Sequence, residues 1–230
     1  MVALLVLMMV GVVLAIDFGV RAYRRQRGFG PAMGQIEIPL PEWAMLPLTE
    51  MSFPAGLFYG RGHTWLRVGE DGTLEAGIDD FLNRAIGPVE KIEVLTEGTV
   101  VGRGEPFARL KQGDLSIWVR SPVSGTLKYA NHAADPAGLH RDPYGKGWLA
   151  RIEPRVPGLD LSGLRFGRQV ADWIQAEALR FGQFLASFKP RYAVATLQDG
   201  GEPVEKRLSA LGPDRAQAFE REFLVYEEEA

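Results

Sequence analysis

Between residues 61 and 155 the chain is divided into short apolar segments by closely spaced turn residues, which leaves no room there for a long helix. Short segments bounded by Gly, Pro, Asn and Asp are typical of β-strands. The predicted strands are 63–68, 74–78, 89–95, 105–111, 115–120, 125–129 and 148–152. Asp79 is placed to cap a short helix that Gly87-Pro88 ends. We therefore predict a mainly β domain, either a flattened β-barrel or a β-sandwich, with added helices.

Five fragments within this region occur in an order, and at spacings, that resemble the glycine cleavage H protein. They are Gly62–Trp65 (GHTW), Gly77–Phe81 (GIDDF), Gly98–Phe107 (GTVVGRGEPF), Ser121–Gly125 (SPVSG) and Asp142–Leu149 (DPYGKGWL). More broadly, the series is similar to lipoyl and biotinyl carrier domains. The resemblance covers residues 60–185 and implies a barrel-sandwich hybrid of lipoyl-carrier type with C-terminal helices.

The resemblance also implies a functional position. In the H protein, one lysine at the tip of a β-hairpin carries lipoate through an amide bond. Residues 107–121 align with that hairpin without a gap, and Asp114 stands in the place of the lysine. Gln112-Gly113-Asp114 suits a tight turn because glycine can adopt positive φ. Since a carboxylate cannot form the amide, we predict that the chain binds no cofactor.

Two other residues of this hairpin bear on function. Lys111 lies three residues before Asp114, and we predict it on the strand that rises to the tip, where an odd shift turns the side chain to the opposite face. It is an unfavourable substitute for the missing lysine. Trp118 lies on the descending strand, where the family commonly has a small acid. It would either anchor a protein contact or pack on the C-terminal region of the chain itself.

The first sixteen residues contain no charged side chain, and with residues 17–20 the apolar stretch is long enough to span a bilayer as a helix. Four arginines follow between residues 21 and 27, which by the positive-inside rule places the N-terminus outside and the bulk of the chain in the cytoplasm. The competing interpretation is a signal peptide, which needs positive charge before its apolar run. We predict a single transmembrane helix at 1–21, in the bacterial inner membrane. Asp17 is either interfacial or contacts a partner subunit.

Residues 22–60 form a proline-rich, apolar, extended segment. A free linker of this composition would expose much apolar surface, so the segment either wraps onto its own domain or lies along a membrane-embedded partner. Under the second alternative, Trp43, Met45 and Phe53 are the predicted partner contacts.

The rest of the chain divides into two parts. Residues 61–188 form the H-protein-like domain, and apolar residues at helical spacing predict that it ends in an amphipathic helix over 166–188. Residues 189–230 are predicted to add a hairpin and a last helix, which together form a candidate docking extension.

Composition argues against several other functions. The chain has no cysteine, so disulfides and thiolate chemistry are excluded. With a net charge of −3 and no basic stripe, it gives no sign of binding nucleic acid. The three histidines are widely spaced, and Asp79 and Asp80 suit helix capping better than acid–base catalysis. We predict no catalytic residue, no metal site and no small-molecule substrate, and hence that the chain is not an enzyme.

Together these features predict a non-catalytic, membrane-anchored structural or assembly subunit of a larger respiratory, photosynthetic or transport complex. Its partners would be integral membrane subunits and the lipid bilayer, with the unlipoylated domain serving as a docking block on the cytoplasmic face. The alternative is a carrier or adaptor in lipoyl or one-carbon metabolism, modified at Lys111 or acting without modification.

Overall fold

The computed structural model describes residues 51–155, 163–187 and 212–226. The strands are β1 (Phe58–Tyr59), β2 (Thr64–Val68), β3 (Leu74–Ile78), β4 (Lys91–Val94), β5 (Val100–Val101), β6 (Pro106–Gln112), β7 (Leu115–Arg120), β8 (Gly125–Ala130) and β9 (Ala150–Pro154). The helices are α1 (Asp80–Ile86), α2 (Pro136–Arg141), α3 (Arg168–Ser187) and α4 (Pro213–Phe219), the last continued by a π-helical turn at Glu220–Leu224. The predicted mainly β architecture with helices is confirmed.

The strands form two antiparallel sheets. The larger has the order β1-β2-β3-β9-β8-β5 and the smaller has the order β4-β6-β7. Within the described residues no ladder joins the two sheets into a closed barrel, which corrects the flattened-barrel alternative. The chain passes from the small sheet to the large one between β7 and β8, where Pro122 lies. Because proline has no backbone N–H, it cannot continue the ladder across this bend.

Both sheets and the helices share one hydrophobic core. In β7 the side chains of Leu115, Ile117 and Val119 are buried, while those between them are partly exposed. This alternation places one face of the small sheet against the core. Strand β3 is buried along its whole length, as expected of a strand covered on both faces. Each buried Leu, Ile or Phe side chain contributes about 1.5–3 kcal/mol to this core.

The described end of the proline-rich segment packs onto the chain's own domain. Phe53, Leu57 and Tyr59 have no exposed surface, and the rings of Phe53 and Tyr59 lie 5.6 Å apart. The expected partner contact by Phe53 is therefore wrong, because its ring is used inside the core. Trp43 and Met45 lie outside the described residues.

Asp17 and the predicted membrane helix at 1–21 also lie outside the described residues. In the part of the chain that the structure describes, no helix combines the length and apolar character that a bilayer span requires.

A buried histidine connects the start of β2 to α1 and α3. His63 has no exposed surface and a φ of 55°, which is uncommon for a residue other than glycine. Its Nδ1 lies 2.9 Å from Asp79 Oδ2, and its Nε2 lies 3.8 Å from Glu177 Oε2. The imidazole is stacked between the rings of Phe81 and Trp173, at centroid distances of 4.1 and 4.9 Å. One side chain at the start of β2 thus contacts both α1 and α3.

The two carboxylates keep this histidine charged. Burial lowers the pKa of His63, but Asp79 and Glu177 outweigh that effect and raise the pKa to about 9. Burial in turn raises the pKa of Glu177, while His63 and Arg180 bring it below its ordinary value. Loss of one partner would leave the other charges buried and uncompensated, which is strongly destabilising.

We expect His63→Asn to remove most of the pH dependence of stability above neutral pH. Because the pKa of about 9 in the folded chain exceeds the ordinary value of 6.5, the stabilisation is complete below pH 6.5 and is lost as the pH rises through 9. This shift corresponds to about 3 kcal/mol. Asparagine is chosen because it tolerates positive φ better than most residues. The free energy of unfolding, measured by urea denaturation across this pH range, is the readout.

The exposed His132 supplies the control, since His132→Asn should retain the wild-type pH profile. If the stability of the wild type does not fall between pH 6.5 and 9, the charged His63 contact is contradicted.

Candidate functional site

The functional position predicted from the sequence lies in the turn between β6 and β7. Gln112 pairs with Leu115, so the strands are joined by a two-residue turn, Gly113-Asp114. Gly113 has a φ of 54°, a left-handed conformation that glycine adopts at little cost. Both turn residues are exposed. The predicted tight turn is confirmed, with Asp114 at its tip.

Residues 88–90 support the hairpin just below the tip. The Gln112 side-chain amide donates to the carbonyl of Pro88, and the Gly113 N–H donates to Glu90 Oε2 at 3.1 Å. The Glu90 N–H donates to the carbonyl of Lys111 at 2.8 Å. By contrast, the Asp114 side chain has no hydrogen-bond or ion-pair partner among the described residues. The backbone of the turn is held, whereas its carboxylate is available to solvent.

Lys111 lies on β6, as predicted, and is not part of the turn. Its Nζ lies 2.8 Å from Glu93 Oε1, and Lys91 Nζ approaches the same oxygen at 2.8 Å. Hydrogen bonds from Lys111 and Lys91 lower the pKa of Glu93 to about 2. The Lys111 side chain is 32% exposed. Its ammonium group is thus engaged on the face of the small sheet.

Trp118 lies on β7 with its side chain partly exposed, and the Arg109 guanidinium is 5.0 Å from its ring centroid. The C-terminal region reaches the same strand. The Trp118 N–H donates to the Glu220 carboxylate, and Arg120 Nη2 lies 3.4 Å from Glu220 Oε1. The backbone of Trp118 therefore contacts the chain's own C-terminal region. Contact between the Trp118 indole and a partner stays a prediction.

The structure brings Lys111, Asp114 and Trp118 onto one hairpin, whereas Phe53 lies in the core. Glu93 and Arg109 were not predicted from the sequence. On the outer face of the small sheet, Glu93 pairs with Lys91 and Lys111, and Arg109 lies over the ring of Trp118. Arg109 and Lys111 are two residues apart on one strand, and this spacing placed both on the same face.

The chemistry available at this site is limited. Within the described ranges no group of three His, Asp or Glu side chains is arranged to hold a metal ion. A lipoyl group is attached through a primary amine, and the residues of the turn offer only a carboxylate and backbone. The turn therefore does not fit an amide-linked acyl group.

Two antiparallel sheets around one core, with a supported turn presented at the end of the small sheet, define a β domain with the fold of a carrier domain. Comparison with known families identifies the family within this class. The family model for the glycine cleavage H-protein matches residues 57–176, a little over half of the 230 residues. The chain belongs to this family. The match ends within α3, so α4 and the π-helical turn lie beyond it.

Two individual relatives agree with this assignment. A probable glycine cleavage system H protein of Pyrococcus furiosus is 29% identical over 133 residues, which cover 57% of this chain and 98% of the relative. The glycine cleavage system H protein of Salinibacter ruber is 35% identical over 109 residues, covering 46% of this chain and 87% of the relative. The crystal structure of a glycine cleavage system H protein from Mycobacterium marinum has 26% identity and a TM-score of 0.47, and covers 53% of this chain and 98% of that one.

We expect the two turn residues to respond differently to alanine. Gly113→Ala should lower the free energy of unfolding by about 1 kcal/mol, because alanine is strained in the left-handed region. Asp114→Ala should change it by less than about 0.5 kcal/mol, since the side chain makes no contact within the described chain. Urea denaturation of both variants provides the comparison. A larger loss for Asp114→Ala than for Gly113→Ala would give the carboxylate a structural role.

Proposed function

We propose that the chain is a non-catalytic, membrane-anchored subunit whose H-protein-type domain carries no lipoyl group and serves as a docking block for a larger membrane assembly. The observation that carries the proposal is Asp114, an exposed carboxylate at the tip of the β6–β7 turn. From the resemblance of residues 107–121 to the family hairpin, we take this position as the counterpart of the lipoyl-bearing lysine.

Lipoyl attachment joins the acyl carbon of lipoate to a lysine Nζ, and Asp114 has no nitrogen to form that bond. The nearest lysine, Lys111, lies three positions earlier, on the strand. Its ammonium group is paired with Glu93, so an acylating enzyme would have to break that pair and reach the body of the sheet. An arm attached there would also start from the sheet face, away from the tip.

Without an arm, the hairpin is free to act as a contact surface. The outer face of the small sheet presents the indole of Trp118, with Arg109 over the ring, next to the charged group formed by Lys91, Glu93 and Lys111. An aromatic ring backed by arginine is a common anchor of protein interfaces. The predicted helix at 1–21 would hold this surface near the membrane, where integral membrane subunits are the partners.

The second candidate is a carrier or adaptor in lipoyl or one-carbon metabolism, modified at Lys111 or acting without modification. Family membership favours it, as does the 32% exposure of the Lys111 side chain. It differs from the first candidate in requiring a covalent lipoyl adduct, or a stable complex with lipoyl-handling enzymes.

Intact-mass measurement after expression with lipoate and a lipoyl ligase tests the first proposal. We expect no adduct on the wild type and one lipoyl adduct on Asp114→Lys, because the substitution supplies an amine at the supported tip. Asp114→Arg is the matched control, since it adds a cation that cannot be acylated, and an authentic H protein shows that the ligase is active. A wild-type adduct that disappears in Lys111→Arg would refute the unlipoylated subunit and establish the carrier.

Membrane attachment is tested by fractionation. We expect the full chain to remain in the membrane pellet after an alkaline wash and to co-purify with other membrane proteins in mild detergent. Leu7→Arg combined with Val10→Arg should release it, since each arginine at the centre of a span costs about 2.5–3.5 kcal/mol. Leu7→Ala with Val10→Ala is the matched control and should stay in the pellet. Migration of the extracted wild type as a lone monomer would contradict the subunit role.

A further inference from the structure

Phe166, two residues before α3, holds its ring at the surface of the domain. The residue is 49% exposed, and its ring centroid lies 4.9 Å from that of the partly exposed Phe58 in β1. The neighbouring Arg165 exchanges two backbone hydrogen bonds of 2.9 Å with Tyr59, so the sheet fixes where Phe166 stands. Single exposed rings are common on protein surfaces, so the meaning of this one depends on its surroundings.

Arginines surround this ring. Arg165 and Arg168 flank it in the sequence, and Arg103 approaches from the loop between β5 and β6. The Arg103 guanidinium lies against Gly163, which leaves room for it by having no Cβ. Gly163 has a φ of 72°, so a larger residue there would be both strained and in the way. The side chain of Arg103 is therefore held beside the segment that carries Phe166.

A fourth arginine extends this surface. The Arg155 N–H donates to the carbonyl of Ser124 at 3.0 Å, and the Arg103 N–H donates to Ser124 Oγ at 3.0 Å. The backbones of the two arginines thus meet at one serine. The arginine patch, as it is called here, consists of Arg103, Arg155, Arg165, Phe166 and Arg168.

The cations of the arginine patch have few partners within the described chain. Arg103, Arg155 and Arg168 are exposed, and their side chains form no hydrogen bond or ion pair with the described residues. Arg165 is partly exposed and lies 4.6 Å from the ring centroid of Trp173, while its buried Nη1 has no hydrogen-bond partner in the described ranges. These guanidinium groups are therefore available to an external anion.

The acidic side chains near the patch do not offset its charge. Glu177 already accepts two hydrogen bonds from Arg180, at 2.7 and 2.9 Å, and lies 3.8 Å from His63. Glu105 is exposed, and its carboxylate accepts the Gly102 N–H at 2.6 Å. The excess of positive charge at this end of the domain contrasts with the net charge of −3 of the whole chain. The field of the patch therefore favours one orientation toward a negatively charged surface.

We propose that the arginine patch rests on an anionic lipid surface, with its guanidinium groups bound to lipid phosphates and the ring of Phe166 at the level of the headgroups. A guanidinium can hold a phosphate through two hydrogen bonds. Basic residues together with an exposed aromatic ring are typical of surfaces that bind the membrane interface. A bilayer presents its phosphates as an extended layer, which suits cations that stand apart from one another around a ring. The inference rests on the proposed membrane attachment and adds a second contact to it.

A fluorescent label tests this contact in the full chain. Because the chain has no cysteine, Phe166→Cys provides a single site for an environment-sensitive NBD label, and Tyr129→Cys, at another exposed aromatic residue, is the matched control. Each labelled chain is reconstituted into phosphatidylcholine bilayers with increasing amounts of phosphatidylglycerol. We expect the NBD emission at position 166 to rise with phosphatidylglycerol and that at position 129 to change little. High salt should reverse the rise, because it screens the attraction.

Substitution of the arginines measures the strength of the contact. In the chain labelled at position 166, Arg103→Gln with Arg168→Gln should lower the equilibrium constant for docking about 25-fold, which is about fivefold for each arginine removed from the surface. Arg103→Lys with Arg168→Lys should retain most of the docking, since lysine keeps the charge. Lys91→Gln with Arg141→Gln, which removes two exposed cations elsewhere, should leave the docking unchanged.

Membrane attachment and lipid docking fail in different ways. A chain that stays with the bilayer after an alkaline wash, but shows no response to phosphatidylglycerol at position 166, would overturn the docking and leave the attachment intact. A chain that does not stay with the bilayer would overturn the attachment. Phosphatidylglycerol vesicles added to that labelled chain then decide the docking: a rise in emission at position 166 supports it, and no rise overturns it. An equal rise on addition of a glutamate-rich peptide without lipid would overturn the assignment to lipid.

Discussion

The charged imidazole of His63 is the contact on which the other layers of the molecule are built. It holds Asp79, which caps α1 by accepting the Leu82 N–H, and it faces Glu177 on α3. A bare imidazolium would not be stable inside the core, and neither carboxylate would be stable there without it. The three groups therefore determine one another's position, and the start of β2, the cap of α1 and the middle of α3 are fixed together.

The packing of the residues beyond the family match depends on this arrangement. Glu177 follows directly after the last matched residue, and the next turns of α3 present Phe181 and Phe184. Those rings form the surface on which residues 212–226 pack, and Glu220 in turn contacts the edge of β7. Among the described residues the small sheet has three strands, and β7 pairs with β6 alone. An uncovered edge strand is a site for unwanted pairing, so the Glu220 contact with the Trp118 N–H also protects the hairpin.

The sequence predicted those parts of the fold whose limits are set by local chemistry. The strands at 74–78 and 115–120 have the observed bounds because turn residues flank them, and Asp79 was recognised as a cap from its type and place. Strands β1 and β5 were missed because two residues carry no periodicity, and each exists through its partner. Phe53 was misassigned because an apolar residue in a proline-rich segment suits a core or an interface equally well.

At the tip of the β6–β7 hairpin, the fold determines the backbone conformation but not the side chain. The backbone at the tip is specified from within, by the positive φ of Gly113 and by the hydrogen bonds from Gln112 and Gly113 to residues 88–90. The side chain at the tip is not, because Asp114 has no partner in the described chain. We therefore expect the turn to form equally well with a lysine in its place. Since neither folding nor packing selects between an acid and an amine here, the difference between them is chemical. An amine at this position can be acylated, whereas a carboxylate can take part only in noncovalent contacts with charged or hydrogen-bonding groups of another molecule.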